Sequence, residues 1–531
     1  MTAVAGFIAL HAVLIALGGS ALWAAGLVDP VRGRAGSVWA ALGPAYVLGV
    51  ALLMPWLVII LLLHIPATFG TAAVVALLGI IVMLLVGRRL GRMTAPSSAA
   101  PSSVDSATSS DVTTAPRRRL PSLRALAVVG AGGLVGWGTL VLSRLPTGND
   151  DARIWSLRGV TLADYARLVP EIFLNQSQSG AHPVYPLLQP EFEATVSRAL
   201  GHAAPSFFHA ELWLLFICSV WTAGYLIWRR LGPASGTGIA VWLPAVALLA
   251  VIPAEVSNII IGDADTTGSV FLALGVLCAG LWLDAGARRY LALSAVMLTA
   301  AASTKDEDLL AAAIVCVILV VGVAARVVAG RHRWRAWERL LPLLGLAAYF
   351  VVFVAPWRLW LNAHHLIDGV QPPIPKAINP LYFLGRGDQL RETVTAMLTQ
   401  SLGEWDWLIA IFLVVCGVCL ASPRIRQVAC FYLAAFWTVV LGLVWLYTTT
   451  PEPLSYLLPT SMGRTVAVFM AMTPLAVAHL LAASRARSAV TISQTAAPAS
   501  LNVYDTPPDV EQRGAHRALG LDDPRSQSRD A

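Results

Sequence analysis

Long apolar runs, each able to cross a bilayer and separated by short polar breaks, leave this chain few folds to adopt. They fall at about 4–29, 36–63, 66–87, 124–145, 207–228, 237–254, 267–284, 290–304, 308–326, 340–357, 405–421, 428–448 and 465–483. A helix needs about 20 apolar residues to span the hydrocarbon core. In lipid, only helices and closed barrels satisfy every backbone polar group. The expected fold is an all-α polytopic membrane protein with about 13 transmembrane helices. Only 13% of the residues are charged, about half the share of a soluble protein, so lipid must solvate much of this surface. The first run is too long for a secretory signal and lacks a basic start, so it reads as a retained helix.

The cations set the orientation. Arg88, Arg89, Arg117 to Arg119, Arg229, Arg230, Arg288, Arg289, Arg485 and Arg487 fall in loops that alternate consistently with the runs. Cytoplasmic loops carry such excess, which predicts the N-terminus outside and the C-terminus in the cytoplasm. A net charge of +7 is explained by these clusters. With no basic groove interleaved with aromatics, nucleic acid is not expected as a partner.

Composition divides the chain into four. Residues 1–92 carry three N-terminal helices. The Ser/Ala/Thr/Pro-rich stretch 93–123 reads as a disordered cytoplasmic linker, 124–483 as the main transmembrane core, and 484–531 as a disordered tail. An outer loop, 146–206, contains a partly apolar segment from Thr161 to Phe173. It reads as an interfacial helix or as an ordinary surface helix. A long loop is expected over 358–403. The six cysteines lie in apolar runs, so neither a disulfide nor a zinc site is expected. Cys416 and Cys419 read as packing.

With that orientation, the remaining polar motifs share the outer face. Asp150-Asp151 could serve as a general base, its pKa raised by the neighbouring carboxylate, or could form a turn with a helix N-cap. Asp263 and Asp265 lie in Gly262-Asp263-Ala264-Asp265, where Asp265 or Thr266 is also a candidate N-cap. Lys305, Asp306, Glu307 and Asp308 are too costly to face lipid. Lys305 is one of two lysines against 35 arginines, and it reads as a point charge for a phosphate. Arg464, at the outer start of the last run, either snorkels to headgroups or holds a phosphate bidentately. His182 and Tyr185 lie in a proline-stiffened extended segment. No nucleotide-binding loop, HExxH or GxSxG is present, which argues against a nucleotide-driven pump and common hydrolases.

In chain order these motifs resemble the membrane glycosyltransferases of the GT-C superfamily, most closely the protein-mannosyltransferase-like, family 39-type bacterial members. The family's acidic residue and "iW..kA" segment are matched by Asp150-Asp151-Ala152-Arg153-Ile154-Trp155-Ser156-Leu157-Arg158-Gly159. Its "hpdYPll.P" is matched by His182 to Pro190, its "G.AD" by Gly262 to Asp265, its "TKnEG" by Thr304 to Asp308, and its "tS..R" by Thr460 to Arg464. The resemblance covers about 124–483. It departs at Asp306, where the family has Asn, and at Asp308, where it has Gly. The three N-terminal helices lie outside it.

The resemblance implies a GT-C-like helical core and a concrete reaction. A sugar on a polyprenyl phosphate would pass to an acceptor hydroxyl of a glycan, lipid or protein on the outer face of the cytoplasmic membrane. Asp150 or Asp151 would act as base. Lys305 and Arg464, with His182, would hold the donor phosphate, while Tyr185, Asp263, Asp265 and Glu307 would bind substrate hydroxyls. No cofactor or metal is implied. The Arg-rich, Lys-poor composition points to a high-GC bacterium and so to an envelope acceptor. The runner-up reading is a transporter or flippase of lipid-linked or polar solutes, which would need ionisable groups near the bilayer midplane. A non-catalytic envelope scaffold is the third.

Overall fold

The computed structural model describes residues 3–28, 39–90, 132–133, 136–146, 151–169, 171, 173, 182, 184–231, 252–329, 336–366, 376, 379–423 and 425–496. Every element among them is helical, as backbone groups in lipid require. The N-terminal helices are α1 (Ala3–Ala24), α2 (Leu42–Leu62) and α3 (Phe69–Arg89). A π-helix (Asp151–Ser156) runs into α4 (Leu157–Tyr165). Then come α5 (Leu188–Leu200), α6 (Pro205–Leu231), α7 (Ile252–Ile261), α8 (Ala264–Ala285), α9 (Arg288–Ala302), α10 (Asp306–Ala329) and α11 (Ala336–Ala363). The last six are α12 (Pro380–Leu384), α13 (Gly387–Glu404), α14 (Asp406–Leu420), α15 (Arg426–Thr449), α16 (Leu454–Met470) and α17 (Met472–Ala496).

Among the described residues nine helices are long and apolar enough to cross a membrane, or up to ten with one bent pair. The expected runs at 290–304 and 405–421 form α9 and α14, each only 15 residues. At 1.5 Å per residue such helices fall short of a 30 Å core. The run at 237–254 lies almost wholly outside the described residues, and of 124–145 only parts are described. The chain reads as a multi-pass membrane protein.

Burial separates central helices from lipid-facing ones. In α8, and in α16 with the start of α17, 94% of the most apolar window is covered by protein, against 11% in α3 and 22% in α11. α1 and α2 approach through small residues. A Cβ on Gly49 would sit 2.1 Å from the Leu14 carbonyl oxygen, so only glycine permits this contact. Helix ends follow local chemistry. Thr68 caps α3 by accepting from Thr71 N at 3.1 Å, and Gly286, with φ of 68°, closes α8.

Several expected boundaries move. The 358–403 loop is mostly helix: α11 continues to Ala363, and α13 fills 387–404 before the chain turns by 89° into α14. Asp388 and Thr393 give α13 too few apolar positions for a span, but Thr393, Met397 and Ser401 form a buried stripe at helical spacing. The segment 161–173 is not one interfacial helix. α4 ends at Tyr165, with Ala166 at a φ of 53°. Leu162, Leu168 and Phe173 pack with Val58, Trp357 and Trp360 rather than facing lipid. The last long helix begins at Leu454, not near 465, and α17 runs on to Ala496, past the expected start of the tail at 484. The linker 93–123 lies outside the described residues. The chain divides into units 1–486 and 487–531, and the described part of the second, 487–496, is helical.

Candidate functional site

The N-terminal ends of α8 and α10 meet the interior of α16 in a cluster of buried charge. Asp263 is the N-cap of α8: its carboxylate accepts from Ala264 N at 2.8 Å. The N-cap is thus Asp263, where Asp265 or Thr266 was expected. The same carboxylate accepts from Trp155 Nε1 at 3.1 Å and pairs with Arg464. Two residues on, Asp265 pairs with Lys305 Nζ at 2.9 Å and lies 4.0 Å from Arg464 Nε. Lys305 sits in the break between α9 and α10, and Asp306, Glu307 and Asp308 occupy the first turn of α10, where the helix dipole favours anions. Arg358 of α11 pairs with Asp306.

Asp263, Asp265, Lys305, Asp306 and Asp308 are all buried. Burial alone would lower the Lys305 pKa, but the carboxylates of Asp265, Glu307 and Asp263 outweigh it and hold the ammonium well above the ordinary lysine value. Lys305 is therefore a fixed cation. Asp308 differs from its neighbours. It is 1% exposed, and among the described residues neither carboxyl oxygen has a hydrogen-bond partner. Its carboxyl lies against Gly268, one turn below Asp265.

An aromatic stack lines the cluster. Trp155 and Tyr185 lie face to face, centroids 5.4 Å apart, and His182 stacks on Tyr185 at 4.7 Å. The Tyr185 hydroxyl is 3.5 Å from Glu307. Trp155 belongs to the π-helix, an uncommon element that recurs at functional sites. His182 has a φ of 59°, a left-handed backbone, and the buried Arg158 guanidinium donates to its carbonyl. Such backbone strain persists only where neighbours fix it.

The 184–189 segment is stitched to both flanking loops. Leu188 N donates to Ser303 O at 3.0 Å, and Gln189 Nε2 donates to Gly262 O at 3.0 Å. Thr267 donates to Gln189 at 2.7 Å, and Trp357 Nε1 donates to Val184 O at 3.0 Å. Behind Arg464, the Tyr447 hydroxyl lies 2.9 Å from both Ser461 and Thr465, tying α15 to α16.

The structure thus brings together His182, Tyr185, Asp263, Asp265, Lys305, Glu307 and Arg464. Arg464 sits inside α16, not at the start of a span as expected. Asp150 lies outside the described residues, and of Asp151 only the backbone is described, as the first residue of the π-helix. Sequence reasoning passed over Trp155, Arg158, Gln189 and Arg358 as site residues. The first three stand in motifs already noted, and Arg358 was legible only as a cation near the end of an apolar run. Among the described residues, no group of three or more His, Cys, Asp or Glu is arranged to hold a metal ion. No family model, curated protein or solved structure matches this chain.

Proposed function

We propose that the protein transfers a sugar from a polyprenyl-phosphate donor to an acceptor hydroxyl, at the outer face of a bacterial cytoplasmic membrane. The observation that carries this reading is the pairing of Lys305 and Arg464 with Asp265 and Asp263 beside an aromatic stack, where the N-terminal ends of α8 and α10 meet α16. A donor phosphate needs cations that stabilise charge as it leaves, and Lys305 and Arg464 supply them. As the acceptor oxygen bonds to the anomeric carbon, the bond from that carbon to the phosphate oxygen breaks, and its electrons leave with the polyprenyl phosphate. The acceptor's proton passes to Asp150 or Asp151. Tyr185, Asp263, Asp265 and Glu307 orient hydroxyls, and His182 supports the phosphate. The acceptor is an envelope glycan, lipid or protein, and the GT-C resemblance gives the same assignment. A transporter would use ionisable groups at mid-membrane.

Membranes carrying the protein, incubated with radiolabelled polyprenyl-phosphate mannose or arabinose, should consume one donor. Consumption of neither removes the main support for this reading. Unchanged transfer in both Asp150→Ala and Asp151→Ala removes the pair as the base.

A further inference from the structure

The charges of the cluster can be matched against one another. Among the described residues each cation there takes one carboxylate: Lys305 takes Asp265, Arg464 takes Asp263 and Arg358 takes Asp306. Glu307 is partly exposed and meets the Tyr185 hydroxyl at 3.5 Å. Asp308 is left over. It is 1% exposed, and neither carboxyl oxygen has a hydrogen-bond partner among the described residues. The neighbouring helices bring it no further charge. α15 brings Tyr447, whose hydroxyl is held by Ser461 and Thr465. The ionisable residues of α9, Arg288 to Tyr290, stand at the opposite end of that helix. A buried carboxyl without a partner takes up a proton and does not stand as an unpaired charge. Asp308 is then a neutral acid with one O–H to donate.

An acceptor stands one turn away. Asp265 and Gly268, three residues apart, share a face of α8, and the Asp308 carboxyl lies over Gly268. Asp265 gives Oδ1 to Lys305 at 2.9 Å, but its Oδ2 has no hydrogen bond among the described residues. Arg464 Nε stays 4.0 Å from it, beyond bonding distance. An acid with nothing to donate to and a carboxylate oxygen with nothing to accept from thus share one contact between α8 and α10. Resting on the transfer reading above, which brings a phosphate to Lys305, we propose that Asp308 is a positioning residue whose proton replaces Lys305 on Asp265 when the donor binds. Lys305 turns to the phosphate, Asp265 loses its cation, and the Asp308 O–H donates to Asp265 Oδ2. Two carboxyls then share one proton and one negative charge, since like charges this close do not both stand. No bond to carbon changes, and no proton enters or leaves the site. Asp265 Oδ1, which Lys305 vacates, is left for a hydroxyl of the donor. The GT-C pattern has Gly at this position, so the proton belongs to this chain and not to the resemblance.

The test uses the full-length protein in nanodiscs. Infrared difference spectra at neutral pH, wild type minus Asp308→Asn, should show a carboxylic acid C=O band that moves in heavy water. Adding the polyprenyl-phosphate sugar that the protein consumes should shift this band as the proton becomes shared. A carboxylate band in its place, or an acid band that the donor leaves unmoved, overturns the proposal. Kinetics separate positioning from packing. Asp308→Ala should raise the donor KM at least about tenfold, the worth of one hydrogen bond to a charged group, with a smaller change in kcat. Asp308→Asn, whose amide N–H donates where the acid O–H did, should bring the KM back close to wild type. An unchanged KM in Asp308→Ala overturns the proposal, as does a KM in Asp308→Asn as high as in Asp308→Ala. An acid band in a protein that transfers sugar from no donor removes the transfer reading, and with it the phosphate on Lys305. Transfer without an acid band removes this proposal alone.

Discussion

Gly268 and Asp308 make a pair whose coupling can be measured. A methyl group on Gly268 would place its carbon 2.0 Å from Asp308 Oδ2 and 2.6 Å from Cγ. Asp308 is 1% exposed and stands in the first turn of α10, so it cannot swing into solvent. Gly268→Ala must push α8 and α10 apart or force the carboxyl off its rotamer, at about 1–3 kcal/mol for overpacking. Alanine's better helix propensity returns about 1 kcal/mol, which leaves a net loss of up to about 2 kcal/mol. The same displacement shifts Asp265 and Lys305, each one turn away, so donor transfer should fall more than stability does. Asp308→Ala removes the atoms that clash. The double variant Gly268→Ala/Asp308→Ala should therefore regain the stability lost by the first change, whereas Asp308→Asn, equal in size, should regain none. The assay is thermal unfolding of detergent-purified protein, followed by loss of the monodisperse chromatographic peak, run as a double-mutant cycle. Wild-type stability in Gly268→Ala, or equal rescue by Asp308→Asn, would show that the two side chains do not meet.

Three further outcomes are expected. Inside the bundle, Glu211 is 1% exposed, accepts from Tyr46 OH at 2.8 Å and lies 3.4 Å from His11 Nε2. Tyr46→Phe leaves a buried carboxyl oxygen without its donor and should cost about 1–3 kcal/mol in unfolding measurements, with His11→Leu costing more as it strips the charge partner. The raised Lys305 pKa sets a pH window: a folded pKa above the unfolded one contributes stability that is complete below the unfolded value and lost only as pH rises through the folded value. Transfer and stability should thus show no alkaline limb from Lys305 up to the ordinary lysine pKa, and a limb there that Lys305→Met abolishes would contradict the ion cluster. Trp155→Phe keeps the ring stack but removes the donor to Asp263, and should lower transfer while leaving the far-ultraviolet circular dichroism unchanged.

What was legible in the sequence follows from what lipid enforces. Long apolar runs had to become helices, and α1, α2, α3, α6, α8, α10, α11 and α15 stand where hydropathy set them. Hydropathy failed where a polar residue lies inside a helix that other helices cover. Arg464 and Ser461 looked like a loop because they are polar, yet α16 carries them, since Asp263, Asp265 and Tyr447 satisfy their groups. The same blindness hid α13: its one buried stripe needs only three residues, and Thr393 and Ser401 supply two of them without any hydrophobic signal.

The charge cluster was legible for the opposite reason. Lipid excludes carboxylates and ammonium groups unless they are paired or solvated, so a chain this poor in charge had to gather those it keeps. The sequence put Asp263, Asp265, Lys305 and Arg464 on one expected face, as caps, substrate contacts or phosphate ligands; only the fold could show that they are partners of one another. Pairing also constrains chemistry. Each cation enters the substrate-free state already neutralised by a carboxylate, so an incoming phosphate must displace Asp263 or Asp265. The displaced carboxylates are then free to accept hydrogen bonds from hydroxyls of the same ligand. A ligand carrying both a phosphate and hydroxyls satisfies both halves of the cluster, whereas a bare phosphate leaves buried carboxylates unpaired at a cost of several kcal/mol. On that ground, inorganic phosphate should compete poorly with a sugar phosphate for this site.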